Sequence, residues 1–365
     1  MHLQHPRAFK SAISAAILAM TFTGSAMADK DTASSTGNPI QIYGRIDVSL
    51  DKTQAQVNSN ASYGKPGASV QKLTDNTSRL GFRGTESLGA GNNAIYGLEF
   101  GINADEGSLV TPNFRYAYVG LQGQWGTFNM GRLDSSAPTG SPLYSQLAQN
   151  LRWIIHDAGS TAIGTRILNG NNRVSNAFTY KSPNFGPINV AGRVNFAGPE
   201  VPSTTNVNLK GEADFKQYQL AANYTDGKLS GGVGYGWDAK TGGLQINDYK
   251  SKVQGVVSYN LGFMRPYFAM GNEKYNATTA TRDTVEFKIL GATASLGTQG
   301  RITLNVMERS IQTDKNGSLK KAQGEYSYFL SKRSTLYVFK DHDVSNTNKA
   351  NSTANSYGFG VMHQF

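Results

Sequence analysis

Arginine and lysine recur in this 365-residue chain at positions whose neighbours alternate in polarity, and that pattern is its main chemical signal. In Ser78-Arg79-Leu80-Gly81-Phe82-Arg83 an extended backbone puts Leu80 and Phe82 on one side and Arg79 and Arg83 on the other. The same phase sets Arg45 against Ile42, Ile46 and Val48, and Arg193 against Val190 and Val194. Arg115 is set against Tyr116 and Tyr118, and Arg173 and Lys181 against Val174, Phe178 and Tyr180, so these cations are expected on the same side as Arg79. Arg132 shares the phase of Phe128 and Met130 and is expected on the apolar side unless Gly131 forms a bulge. Rows of cations along a wet, low-dielectric wall concentrate anions. Arg152 lies in a long segment that also carries Asp134 and Asp157, acids that could face the arginines and set up a transverse field.

Other chemistries are poorly supplied. Cysteine is absent, which excludes disulfides, zinc-thiolate sites and thiol nucleophiles. Beyond the N-terminal segment the histidines are His156, His342 and His363, with no pair at metal-ligand spacing. No Gly-x-Ser-x-Gly elbow or phosphate-cradling Gly-x-x-x-x-Gly-Lys occurs. A hydrolase triad built on His156 and Asp157 would lie in one loop without a positioning scaffold. Neither an enzyme nor a metal or other cofactor is expected.

The elements that must position the cations are strands. Period-2 alternation predicts sixteen of them, at about 40–51, 76–87, 92–104, 113–123, 126–133, 173–183, 187–197, 213–225, 228–238, 248–260, 262–273, 282–296, 300–310, 320–331, 334–344 and 355–365. Short turns such as Leu88-Gly89-Ala90-Gly91, Asp226-Gly227-Lys228 and Asn260-Leu261-Gly262 alternate with longer polar links at about 52–75, 105–112, 134–172, 198–212, 239–247, 274–281, 311–319 and 345–354. An even antiparallel transmembrane barrel, with short turns at one end and long loops at the other, has this layout. A soluble sandwich also alternates, but its strands are shorter than the ~10 residues that a tilted membrane strand needs. Tyr43, Phe100, Tyr180, Tyr224, Trp237, Tyr259, Tyr328 and Phe365 near strand ends fit aromatic girdles at the two interfaces.

The termini agree with this reading. Arg7 and Lys10 precede an apolar run from Ala12 to Phe22, and Ala26-Met27-Ala28 supplies a small-x-small cleavage pattern, so residues 1–28 are expected to be a secretory signal and 29–365 a single barrel. Removing 1–28 lowers the cations from 35 to 33 against 25 acids, leaving +8. These cations are spread through alternating segments rather than gathered in an arm or helix, so nucleic acid is not expected as the partner. The last strand places Tyr357, Phe359, Val361, His363 and Phe365 on one face.

Several segments resemble the Gram-negative general porins, particularly the betaproteobacterial kind. Ser78 to Gly91 is similar to the family's second strand and first turn, Ile42-Tyr43-Gly44-Arg45-Ile46-Asp47 to its opening strand, and Arg115-Tyr116-Ala117-Tyr118-Val119-Gly120-Leu121 to its fourth. Asn172 to Gly186 resembles the strand after the long third loop. The ending Tyr357, Phe359, Val361, Phe365 resembles the C-terminal signal read by the barrel-insertion machinery. The resemblance implies an all-β, sixteen-stranded antiparallel barrel, a homotrimer embedded in outer-membrane lipid and lipopolysaccharide, and passive diffusion of small solutes. It implies that residues 134–172 fold into the lumen as a constriction, and that Arg79, Arg115 and Arg152 group there. The bulky Leu143, Tyr144, Leu147, Leu151, Trp153, Ile154 and Ile155 independently predict that part of this loop packs on the inner wall.

The expected function is a water-filled channel with anion preference. Two alternatives are a substrate-selective channel for small anionic organic solutes and, from another class, an outer-membrane adhesin or receptor barrel with little conductance.

Overall fold

A computed structural model describes residues 40–56, 69–133, 141–152, 154–155, 167–168, 173–196, 215–240, 244, 248–278, 281–346 and 351–365. Its strands are β1 (Gln41–Gln56), β2 (Ser69–Asp75), β3 (Ser78–Gly89), β4 (Asn92–Asn103), β5 (Ser108–Gly123), β6 (Gly126–Leu133), β7 (Val174–Lys181), β8 (Ile188–Asn195) and β9 (Phe215–Thr225). They continue with β10 (Leu229–Lys240), β11 (Tyr249–Tyr259), β12 (Met264–Tyr275), β13 (Thr284–Leu296), β14 (Gly300–Ser310), β15 (Ser318–Phe329), β16 (Ser334–Asn346) and β17 (Asn351–Gln364). A helix, α1 (Pro142–Asn150), lies between β6 and β7.

From β3 to β17 each strand pairs antiparallel with the next, and β1 pairs with β17 from Arg45↔Gln364 to Gln56↔Thr353, so the sheet closes on itself. Closure reaches the last residue: Phe365 N–H donates to Gly44 O at 3.1 Å and Gly44 N–H to Phe365 O at 3.0 Å. A closed sheet has no unpaired edge. β2 and β3 both pair with β1, the first along Val48–Gln54 and the second along Gln41–Arg45, so seventeen segments make sixteen staves. At the joint, Asn76, Thr77 and Ser78 stand opposite Ile46 and Asp47, a bulge in which Thr77 takes φ +63°.

The staves run further than alternation alone suggests. β1 and β2 extend into the expected 52–75 link, and β5 starts at Ser108, inside the expected 105–112 link, joined to β4 by a tight turn with Gly107 N–H to Asn103 O at 2.8 Å.

Alternation divides the two faces throughout. On β14, Leu304 and Val306 are 56% and 53% exposed while Thr303, Asn305 and Met307 between them are buried. Ile46, Val119, Val233, Val257, Leu290 and Val338 continue the exposed apolar band round the barrel, and polar residues dominate the inward face. Among the described residues no helix is long and apolar enough to cross a membrane; the apolar surface is carried by strands. Tyr357, Phe359, Val361 and Phe365 are exposed on it. Tyr43 departs from its expected girdle role: it faces inward, its hydroxyl 3.1 Å from Glu99.

Candidate functional site: the charged lumen

The described part of the 134–172 segment lies against inward-facing wall residues. Ser141 caps α1, accepting from Tyr144 N–H at 3.2 Å, and Pro142 supplies a preset φ at its first turn. Leu143, Gln146, Leu147 and Asn150 form one buried helix face at the spacing a 3.6-residue period requires. β10 accommodates that face with Gly232, Gly234 and Gly236, its inward positions: a Cβ at Gly234 would come within 3.0 Å of Leu143. The polar members of the face bond to the wall: Gln146 Nε2 donates to Ala222 O and Val233 O at 2.9 and 2.7 Å, leaving its Oε1 buried without a hydrogen-bond partner, and Asn150 Oδ1 accepts from the Ser258 hydroxyl at 2.8 Å.

Apolar packing continues past the helix. Leu147, Leu151, Ile167 and Leu168 bury against Val256, Tyr267, Phe287, Ile289 and Met307, and Ile154 and Ile155 against Tyr337 and Phe339. Each fully buried aliphatic side chain stabilises this seat by ~1.5–3 kcal/mol. Polar contacts hold the ends: Glu325 accepts from Ile155 N–H at 2.5 Å, and Arg309 donates to Ile167 O at 2.8 Å while Glu273 pairs with Arg309 and Lys252 at 2.5 and 2.9 Å. Lys321 pairs with Asp341 and with Asp343.

The expected cations fall into distinct surroundings. Arg79 and Arg115 share one buried acid, Glu99, at 3.6 and 2.5 Å. Arg45, opposite Arg79 in the sheet register, pairs with Asp47 at 3.8 Å and donates to Asn76 O and the Thr77 hydroxyl in the β2–β3 bulge. Arg115 reaches the inward face for a reason the sequence did not reveal. Tyr116 and Tyr118 are themselves inward, opposite Glu99 and Gly97, and a register shift between Tyr116 and Phe114 turns the intervening Arg115 inward as well. Glu99 and Asp47 were missed as site residues. Alternation carried their signal: Glu99 sits between Leu98 and Phe100, both outward.

Arg83 is exposed, bonded to Gln41 at 2.8 Å with its guanidinium over the Tyr43 ring at 4.9 Å. Lys181 pairs in register with Thr127 and Ala191 on the inward face, and Arg193 is buried opposite Thr179 and Gln219. Arg173 is half-buried just before β7. Val174 does not face outward as its phase suggests: Asn176 takes φ +54°, the register with β6 shifts, and Val174 buries against Leu133 and Ala177. Gly131 takes φ +134° in the same irregularity, yet Arg132 stays on the outer side opposite Ala117, bonded to Phe114 O and Ser175. Asp134, Trp153, His156 and Asp157 lie outside the described residues.

Arg152 does not join Arg79 and Arg115 in their ion network. Its Nη1 donates to the helix-end carbonyls of Ala148, Gln149 and Leu151 at 3.4, 3.1 and 2.8 Å. Its own carbonyl accepts from Tyr267 hydroxyl at 2.8 Å and Asn305 at 3.0 Å, which fixes it over β12–β14. Burial holds its guanidinium below the ordinary value, and Arg265 and Arg301 add like-charge repulsion.

A family model described as Gram-negative porin matches residues 14–348. The chain belongs to the Gram-negative porin family. This porin is 27% identical over 348 residues to outer membrane porin protein 32 of Delftia acidovorans, covering 92% of this chain and 91% of that one. The barrel superimposes on the anion-selective porin from Comamonas acidovorans with a TM-score of 0.70 at 22% identity, over 90% of this chain and 99% of the other. OmpT of Vibrio cholerae, an outer membrane protein recorded in a trimer form, gives a TM-score of 0.63 at 13% identity, over 90% of this porin and 99% of that chain.

Proposed function

We propose that this porin forms a water-filled channel across the Gram-negative outer membrane through which small hydrophilic solutes and ions diffuse passively, with preference for anions. The observation that carries the sign is the charge balance of the inward face. Asp47, Glu99, Glu273, Asp341 and Asp343 each have a cation within ion-pair distance. Among the described residues Arg83, Arg152, Lys181, Arg265 and Arg301 have no carboxylate at that distance, and they outnumber the further inward acids Asp51, Asp238 and Glu325, so the wall carries a surplus of positive charge. Sixteen staves enclose a lumen too wide for side chains to fill, and the seating of residues 141–155 and 167–168 on the wall supports a constricting role for segment 134–172.

In this reading residues 1–28 are removed on export, and 29–365 insert as a homotrimer among outer-membrane lipid and lipopolysaccharide. The insertion machinery reads the apolar face of the last strand, Tyr357, Phe359, Val361 and Phe365.

Planar-bilayer recording of the refolded mature protein under a salt gradient tests the reading. Current in steps of three with an anion-favouring zero-current potential is expected. A folded barrel without current would refute the channel and favour an adhesin. Cation preference would keep the pore and overturn the charge assignment.

A further inference from the structure

We propose that Arg152, Arg265 and Arg301 form a binding site for a small tetrahedral oxyanion of the phosphate class, on the wall across the lumen from Arg45, Arg79 and Arg115. This rests on the channel reading above and adds a saturable step to it. The three guanidiniums come from α1's C-terminal end, β12 and β14, and the contacts that fix Arg152 over those strands bring them together. Arg265 and Arg301 fall at inward positions of their strands, beside Tyr267 and Thr303.

Hydrogen bonds orient the group, and among the described residues no carboxylate lies within ion-pair distance of it. Arg265 Nη2 donates to Gln149 O at 3.2 Å and the Ser258 hydroxyl at 2.8 Å, while Arg152 uses only Nη1 on the helix carbonyls. Arg301 lies 5.1 Å over the Phe329 ring, and its Nε is buried with no hydrogen-bond partner. One acid faces the group's edge: Glu325, opposite Thr303 on the neighbouring strand, accepts from Ile155 N–H and the Ser327 hydroxyl and keeps its charge. A buried N–H without an acceptor costs ~1–3 kcal/mol, and clustered like charges add to that cost. A divalent oxyanion removes both, because the guanidinium fork matches phosphate oxygens in pairs. The hydroxyl of Thr293, opposite Arg265 on the inward face, suits one of a tetrahedral ligand's remaining oxygens.

The test titrates inorganic phosphate into the channel carrying chloride current, and in parallel into detergent-refolded trimer by calorimetry. Saturable block and a matching calorimetric isotherm are expected. Arg265→Gln/Arg301→Gln should raise the half-blocking concentration by roughly tenfold or more, the loss of one bidentate contact. Arg301→Lys should recover only part of the affinity, and Lys320→Gln on the outer face should change nothing. Chloride current with no saturable phosphate effect would overturn the site while leaving the channel standing. Absence of any current would refute the channel, and calorimetry on the wild type would then decide the site alone. Equal block by a linear dicarboxylate would overturn the tetrahedral assignment.

Discussion

The arginine clusters on the two sides of the lumen hold similar numbers of cations in opposite electrostatic settings. Arg45, Arg79 and Arg115 are built round Asp47 and Glu99, so much of their field closes locally on an acid. Arg152, Arg265 and Arg301 are braced by carbonyls, a hydroxyl and an aromatic ring, none of which cancels charge. Counting arginines would rank the two walls equally. Counting their partners separates a cluster paired with acids from one braced by neutral groups, and on the proposed function the second is the one that attracts anions.

The largest expected effect comes from erasing the difference. Arg152→Gln/Arg265→Gln/Arg301→Gln should abolish or reverse the anion-favouring zero-current potential, whereas Arg45→Gln should move it by far less; equal effects would break the comparison. Glu99→Gln should work in the opposite sense. Removing the acid leaves Arg79 and Arg115 uncompensated, raising anion preference severalfold and lowering stability by up to ~3–5 kcal/mol, the cost of breaking a buried pair. Reversal potentials and thermal unfolding read these two consequences separately.

A smaller effect is expected at the brace beneath the third loop. Glu273→Gln releases Arg309 from its acid, and Arg309 holds Ile167 O, so open-channel current noise should rise while selectivity changes little. Unchanged noise would mean that apolar packing alone seats the loop. The smallest effect is from salt. The screening length falls from ~10 Å at 0.1 M to ~3 Å at 1 M, so selectivity should weaken with ionic strength, more in wild type than in the triple variant. Permeability ratios measured at both concentrations check this.

The barrel was legible because its signal is repeated in every stave. Gly232, Gly234 and Gly236 alternate with Val233, Tyr235 and Trp237 as plainly as Arg79 and Arg83 alternate with Phe82. Legibility failed where period 2 is interrupted. The irregularities at Asn76–Ser78, Arg115 and Asn176 each change which face a residue takes, and alternation carries no marker for a bulge. So Arg115 is inward together with Tyr116 and Tyr118 rather than opposite to them, and Val174 is inward where strict alternation puts it outward.

By itself the sequence determined the strand rhythm, the number of staves and the sorting of most side chains between two faces. These follow from local backbone geometry and from the cost of exposing charge to lipid. Only the tertiary structure decided which charges meet. Glu99 reaches Arg79 and Arg115 through strand register, and Arg152 reaches the β12–β14 wall through the seating of α1 on the glycines of β10. An ion pair depends on a few ångströms between residues distant in sequence, and sheet closure and loop packing set that distance.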